Sequence, residues 1–299
     1  MKNNDFESED IEFSFSFNEG SIISHVFAAM SASVTNICFE LTPYSLVCEY
    51  LDDTGQGYDK VIFYINRIRS YYYNVRDENG ELVDSKTFSV KGIHLSSNTK
   101  SLKKKQAVIL YKCINDDQLR IQKITPDLTR TGLISYVNIQ PHISDEKMFD
   151  DDRYSEEYNI RNETIEFSEF CKKAITNKSE CVEMILAKKG GLFRSLNPDG
   201  TSANKLPCGE PISLDNERYI KENKNGDIIV ESDDIMCKFK LPKKIIKTLS
   251  KFSAFSNCTS YIYFYYDFGL PVRIFTPISN FGEYIKYVKR EQPKNGKKK

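Results

Sequence analysis

Apolar and polar positions alternate strictly over Ile11-Glu-Phe-Ser-Phe-Ser-Phe17, the period of a strand with one buried face. From Gly20 the period changes. Ile22, Ile23, Val26, Phe27, Met30 and Val34 share one helical stripe, so the spacing predicts a helix over Gly20 to Val34. Two strands are expected next, Asn36 to Leu41 and Ser45 to Leu51, turned at Thr42-Pro43-Tyr44, where proline presets φ. The same order recurs later. Phe167, Phe170, Cys171, Ala174 and Ile175 fall at i, i+3, i+4, i+7 and i+8, with Thr164 placed to cap the helix they make. Strands Cys181 to Ala187 and Leu192 to Leu196 follow, split by Lys188-Lys-Gly-Gly191.

Each copy then has a second, shorter helix, around Ser97 to Lys105 in the first and Pro242 to Ser253 in the second, where Pro242 suits the first turn. After each comes strand, turn, strand: Ala107 to Ile114 and Leu119 to Ile124, then Tyr261 to Tyr266 and Val272 to Thr276. Ser21 to Ser97 and Glu166 to Pro242 are separated by the same number of positions. The chain therefore reads as one βαββ plan written four times in two similar halves. We expect an N-terminal domain at 1–140, an acidic connector at 141–159, a C-terminal domain at 160–290 and a basic, disordered tail, drawn from Lys286 onward and confined to 291–299 as a separate segment.

The size supports two domains, since 299 residues is about twice a usual domain of ~100–150 residues. Net charge is zero at a pI near 6.8, so any contact with a polyanion must come from local segregation of charge. The eight cysteines include no C-x-x-C pair, and most lie among apolar neighbours, which reads as buried free thiols of a reducing compartment. With no apolar stretch at the N-terminus and none of membrane-spanning length, an intracellular protein without membrane contact is expected. The Asn-x-Ser/Thr triplets at Asn162, Asn177 and Asn257 are then chance matches.

Lysines are segregated. In Pro242 to Ser253, Ile245, Ile246, Leu249 and Phe252 make the apolar stripe while Lys244, Lys247 and Lys251 recur on the other side. Lys100, Lys103 and Lys104 in the second helix, Lys105 at its end, and Lys172, Lys173 and Lys178 in or after the third helix repeat the arrangement, with acidic residues nearly absent. Lysine faces on helices are mostly solvated surface. Three at equivalent repeat positions point to a phosphate-facing surface that reads no sequence, because ammonium groups act as mobile point charges. The tyrosine-rich strands at Tyr71 to Tyr73 and Tyr261 to Tyr266 are read as sheet packing rather than a stacking platform. Neither phosphate-binding glycine loops nor zinc-protease, hydrolase or dinucleotide motifs occur, so no enzyme, cofactor or metal is expected. The acidic cluster Asp145, Glu146, Asp150, Asp151 and Asp152 reads as solvated linker, with a Mg²⁺-dependent nuclease as the rival.

Taken in order, Gly20-Ser-Ile-Ile-Ser-His-Val26, Gly92 to Lys103, Leu270-Pro-Val-Arg-Ile-Phe-Thr-Pro-Ile278 and Gly282-Glu-Tyr-Ile-Lys-Tyr-Val288 resemble the sliding DNA clamp family named for proliferating cell nuclear antigen, as a divergent, possibly viral member. The resemblance spans residues 11 to 290 and implies an α+β clamp fold: two similar domains with channel-facing helices and outer antiparallel sheets, closed as a homotrimer. It implies a polymerase processivity factor that surrounds duplex DNA in a nucleus or at a cytoplasmic viral replication site, serves replication and repair proteins through short peptide motifs and is placed by a clamp loader. Lys100, Lys103, Lys172, Lys244 and Lys251 match channel cations. Leu51, Met148, Phe149, Pro271 and Tyr287 match the walls of the partner-peptide pocket. One departure stands out: the first helix offers Ser24, His25 and Ser31 where the family places lysines. Ring closure implies edge-strand pairing between subunits, with Leu133 to Ile139 as one edge and Thr201 to Pro211 as the other. A monomeric processivity factor and a heteromeric checkpoint-clamp subunit remain open.

Overall fold

The computed structural model describes residues 11–53, 55–124, 131–141, 153–210, 220–222, 228–230, 235–256, 260–267 and 270–289. The chain divides into two compact units, Met1–Met148 with Ala254–Asn257 and Pro277–Ile285, and Phe149–Ser253 with Cys258–Thr276 and Lys286–Lys299.

The first unit runs β1 (Ile11–Phe17), α1 (Gly20–Ser33), β2 (Asn36–Thr42), β3 (Ser45–Leu51), β4 (Gly57–Phe63), β5 (Ser70–Tyr73), β6 (Lys86–Lys91), α2 (Gly92–Thr99), β7 (Ala107–Cys113), β8 (Gln118–Ile124) and β9 (Thr131–Gln140). Its strands lie in the order β4-β3-β2-β6-β9-β8-β7-β1-β5, antiparallel throughout the pairs described. The alternation of β1 buries Phe13, Phe15 and Phe17 on one side, where Phe13 stacks on Phe88 and Phe15 on Phe39 at 5.1 and 6.0 Å. Phe27 of α1 meets Phe39 edge-on, which fixes the helix over the sheet.

The second helix is placed differently from the sequence expectation. It occupies Gly92–Thr99, and Lys100 is its C-cap, so Lys103, Lys104 and Lys105 lie in the following turn. Its start lies close against α1: a Cβ on Gly92 would lie 3.1 Å from the Cα of Ser31, a contact that glycine relieves. Past Thr99 the chain leaves the helix as Leu102 N–H bonds to the Thr99 carbonyl and the Gln106 amide oxygen accepts from Lys103 N–H.

The second unit contains β10 (Ile160–Glu163), α3 (Thr164–Thr176), β11 (Cys181–Ala187), β12 (Gly190–Leu196), β13 (Ser202–Gly209), β14 (Ile220–Glu222), β15 (Ile228–Val230), β16 (Ile235–Pro242), α4 (Lys243–Leu249), β17 (Tyr261–Tyr265) and β18 (Val272–Ile278), the last two residues of β18 counting with the first unit. One sheet is β13-β12-β11-β16, another part is β10-β17-β18, and β14 and β15 form a separate hairpin. Phe167 of α3, Phe193 of β12 and Phe264 of β17 meet within 5.1–5.4 Å of one another and form the centre of this core. The final strand, β19 (Gly282–Val288), includes Lys286, Tyr287 and Val288, so the chain stays ordered past the point where a basic tail was expected to begin. Residues 291–299 lie outside the described residues.

The repeat is therefore βαββ, four times, as the hydrophobic pattern indicated. Some local expectations differ. Thr164 is the first helical residue rather than the cap, and its hydroxyl donates to the Ser260 carbonyl, tying the helix start to the chain before β17. Gly190 and Gly191 belong to β12 and not to the turn, paired with Gly209 and Cys208 of β13. The helix starts are not equally spaced, falling at Gly20 and Gly92 in the first half and at Thr164 and Lys243 in the second.

Candidate nucleic-acid interface

Helix α4 follows the pattern read from sequence. Ile245, Ile246, Leu249 and, after the helix, Phe252 are buried, while Lys243 and Lys247 are exposed and Lys244 and Lys251 half-exposed. No carboxylate occurs in the sequence between Lys243 and Lys251. Lys243, exposed in the first turn, was not singled out from the sequence, because it sits where a stripe count looks only at the apolar side.

Helix α3 is different. Lys172, Lys173 and Lys178 are exposed, but Glu166 and Glu169 are exposed on the same helix. The near-absence of acids expected from the sequence fails here. Acid at the N-terminal turn and lysine at the C-terminal turn complement the helix dipole, and Glu169 lies one turn before Lys173, so much of this charge serves the helix itself.

In the first unit Lys100, Lys103, Lys104 and Lys105 are exposed in one tight turn after α2. Tertiary structure adds Lys123 of β8, whose ammonium donates to the Ser101 hydroxyl at 2.5 Å. Neighbouring strands, not sequence spacing, bring it there. The exposed side of α1 presents His25 with half-buried Ser21, Ile22, Ala28 and Ser31, and α2 presents Ile93, His94 and Ser97, so neither helix is cationic.

Two strand edges were expected to pair between copies. Strand β9 pairs with β8 along Thr131 to Asn138 but with β6 only at Ile139 and Gln140, leaving most of its other side without a described partner. Strand β13 is the terminal strand of its sheet. Glu210 N–H bonds to the Lys189 carbonyl, which sets the parity of the ladder: Cys208 and Leu206 point their N–H groups at β12, while Lys205 turns its N–H, and Pro207 its hydrogen-free ring nitrogen, to the open side. Pro207 therefore removes no bond from its own sheet.

Of the expected partner-pocket residues, Leu51 is half-buried at the end of β3. Met148 and Phe149 lie outside the described residues, as does the acidic cluster from Asp145 to Asp152. Pro271 is half-buried, and its carbonyl accepts from the Tyr154 hydroxyl. Tyr287 is only 1% exposed, with the Tyr154 ring tilted across it at 5.8 Å, so the more accessible aromatic at this place is Tyr154. Beside it opens a cavity of about 360 Å³ floored by Tyr154, Asn159, Tyr265 and Tyr266 and rimmed by Ser155, Glu157, Lys188 and Asp267.

Among the described residues no three histidine, cysteine, aspartate or glutamate side chains converge on a metal position, and no helix is long and apolar enough to cross a membrane. Cys38, Cys48, Cys113, Cys171, Cys181 and Cys208 are free thiols, and burial pushes Cys208 up to about 12 and Cys171 higher still, which marks both as packing residues and not nucleophiles.

No protein-family model matches the sequence, and no curated protein sequence does. Among solved structures, the chain is similar to proliferating cellular nuclear antigen from Entamoeba histolytica, at 10% sequence identity and a TM-score of 0.69, over 94% of this chain and 100% of that one. At so low an identity the likeness speaks for architecture: this chain has the α+β clamp fold of that antigen.

Proposed function

We propose that this chain is a non-enzymatic subunit of a ring-shaped DNA sliding clamp, a processivity factor that surrounds duplex DNA without reading its sequence and tethers replication and repair proteins. One observation carries the reading: within a clamp fold, α4 and its following turn present Lys243, Lys244, Lys247 and Lys251 with no intervening carboxylate. Mobile ammonium groups on a helix suit phosphates whose position changes as the protein slides, since they require no fixed fork geometry. The lysine turn from Lys100 to Lys105 supplies the same chemistry in the first unit, and Lys172, Lys173 and Lys178 contribute less because Glu166 and Glu169 offset them.

In this reading three copies close head to tail, the open side of β9 on one copy pairing with the open side of β13 on the next. Partner peptides dock where Leu51, Met148, Phe149, Pro271 and Tyr287 were expected to form a pocket, with Tyr154 as an added aromatic wall, and a clamp loader places the ring. Particle images of the purified chain test the assembly. A closed three-fold ring is the expected result, and single 34.6 kDa particles at micromolar concentration would favour a monomeric processivity factor instead.

A further inference from the structure

The second unit carries a further surface on the side of β10, β17 and β18 turned away from the core, sharing only Tyr154, at its margin, with the expected partner pocket. Along β17, Ile262 and Phe264 are fully buried while Tyr261, Tyr263 and Tyr265 point the other way and stay half-exposed. Tyr263 contacts Phe275 of β18 and exposed Tyr158 at 5.6 and 5.1 Å, and Tyr261 lies 6.3 Å from Tyr263. The water-facing side of an antiparallel strand ordinarily carries polar side chains. Here it carries a continuous aromatic cluster.

Two guanidinium groups lie on it. Arg161 of β10 sits 4.6 Å over the Tyr261 ring and 5.8 Å over Tyr158. Arg273 of β18 sits 4.9 Å over Tyr265 and 5.8 Å over Tyr154. Against these two cations the three strands bring one exposed carboxylate to this side, Glu163.

We propose that this face docks an extended acidic segment of a partner protein, its carboxylates on Arg161 and the tyrosine hydroxyls and its apolar side chains on the ring cluster. Arg161 is exposed and makes no ion pair among the described residues. A guanidinium beside a ring face still has N–H groups to offer, and a guanidinium can take a carboxylate with two bonds. The alternation of Tyr261, Tyr263 and Tyr265 matches the period of an extended chain. Single-stranded nucleic acid fits less well, because stacking needs free ring faces. These rings are tilted 48–57° to their neighbours, and the arginines cover Tyr261 and Tyr265. The proposal is independent of duplex binding and of ring closure.

The test uses the full chain with three fluorescein-labelled probes: the peptide Glu-Phe-Glu-Phe-Glu-Phe, its Gln-for-Glu counterpart and oligothymidine. The acidic peptide should bind, and Arg161→Glu, at an exposed position, should weaken it by about tenfold or more, the loss of a charge-assisted bond. Tyr263→Ser should do the same, while Lys172→Glu should leave binding unchanged. Equal binding of the glutamine peptide, an unaffected Arg161→Glu variant, or an equal loss in Lys172→Glu would overturn the proposal. So would oligothymidine binding that depends on Arg161 in place of peptide binding. Melting curves that overlay the parent chain establish that each variant is folded, and Arg161→Ala serves if the reversal fails to fold.

Discussion

Ser33, in the last turn of α1, donates its hydroxyl to the carboxylate of Asp59 on β4 at 2.5 Å, and both residues are buried. The bond anchors the end of α1 to the sheet beneath it. Tyr284 also bonds to this carboxylate, and its hydroxyl lies 3.2 Å from that of Tyr50. A buried carboxylate is tolerated only when hydrogen bonds replace its water. Ser33→Ala, which strips one donor and leaves the charge in place, is therefore expected to destabilise the first unit by about 1–3 kcal/mol. Asp59→Asn, which removes the charge, should cost less than Asp59→Ala. Chemical denaturation of the three variants checks the ranking, and an unchanged midpoint for Ser33→Ala would show that the carboxylate needs no help from this hydroxyl.

The same cluster sets an alkaline limit. Burial, and then the charge of nearby groups, pushes the Tyr50 and Tyr284 hydroxyls well above the usual tyrosine range. A raised folded-state value means that the folded chain holds these protons more tightly than the unfolded one. Their contribution is fully present below the unfolded tyrosine value of about 10 and is lost as pH rises beyond it. Stability should be flat with respect to these groups at neutral pH and should fall from about pH 10 upward. In the Tyr50→Phe, Tyr284→Phe double variant the fall should be shallower; an identical slope would assign alkaline loss to other groups.

Much of the architecture was legible because the strands carry clean periods. The alternation of Phe13, Phe15 and Phe17 fixed β1 at its observed ends, and Phe167, Phe170, Cys171 and Ala174 marked the buried side of α3. Helix α2 was displaced because local pattern does not set it: Leu95 is its one large buried apolar side chain, Ile93 is 71% exposed, and its start depends on Gly92 meeting Ser31 across two helices. The lysine surfaces were half legible. On α4 the intervening residues are apolar, so the cations stood out, whereas on α3 attention to Lys172 and Lys173 hid Glu166 and Glu169 on the same side. Lys123 beside Ser101, and Tyr154 over Tyr287, are tertiary relationships with no signature in spacing.

The difference between α3 and α4 makes a testable ranking. Reversing Lys243, Lys244, Lys247 and Lys251 to glutamate should flatten the salt dependence of duplex binding by about 0.9 for each phosphate no longer neutralised, equally for unrelated sequences. Reversing Lys172 and Lys173 should flatten it less per residue, since Glu166 and Glu169 already screen them. Titrations with two duplexes at several salt concentrations measure both slopes. Equal effects per lysine would mean that the acids on α3 are too distant to matter, and no effect from α4 would remove the principal support for the clamp reading.

Assembly through the β13 edge can be separated from folding by one substitution. Lys205 turns its N–H to the open side of the sheet, the side on which Pro207 has its ring nitrogen. Lys205→Pro should therefore leave the β12-β13 ladder intact while removing a donor from any strand added outside it. Light scattering should show the variant shifted from trimer to monomer with little change in melting temperature. An unshifted trimer would place the contact between copies on another edge.

The last expectation concerns the partner pocket, where the structure changes which substitution is informative. Tyr287 is 1% exposed, so alanine there would open a cavity in the core and cost about 3–5 kcal/mol, confusing lost binding with lost folding. Tyr154 is half-exposed, and its hydroxyl donates to the Pro271 carbonyl while its ring covers Tyr287. Removing it takes away an aromatic wall without emptying the core. Burying an aromatic anchor is typically worth ~1.5–3 kcal/mol, so Tyr154→Ala combined with Phe149→Ala should weaken a peptide carrying an aromatic pair on one helical turn by about tenfold or more. Tyr154→Phe, which keeps the ring and loses only the bond to Pro271, should retain most of the affinity. Calorimetry on the folded variants separates the cases: full affinity in the double alanine variant would place the partner surface elsewhere, and a loss as large in Tyr154→Phe would assign the effect to the loop that the hydroxyl holds and not to the ring.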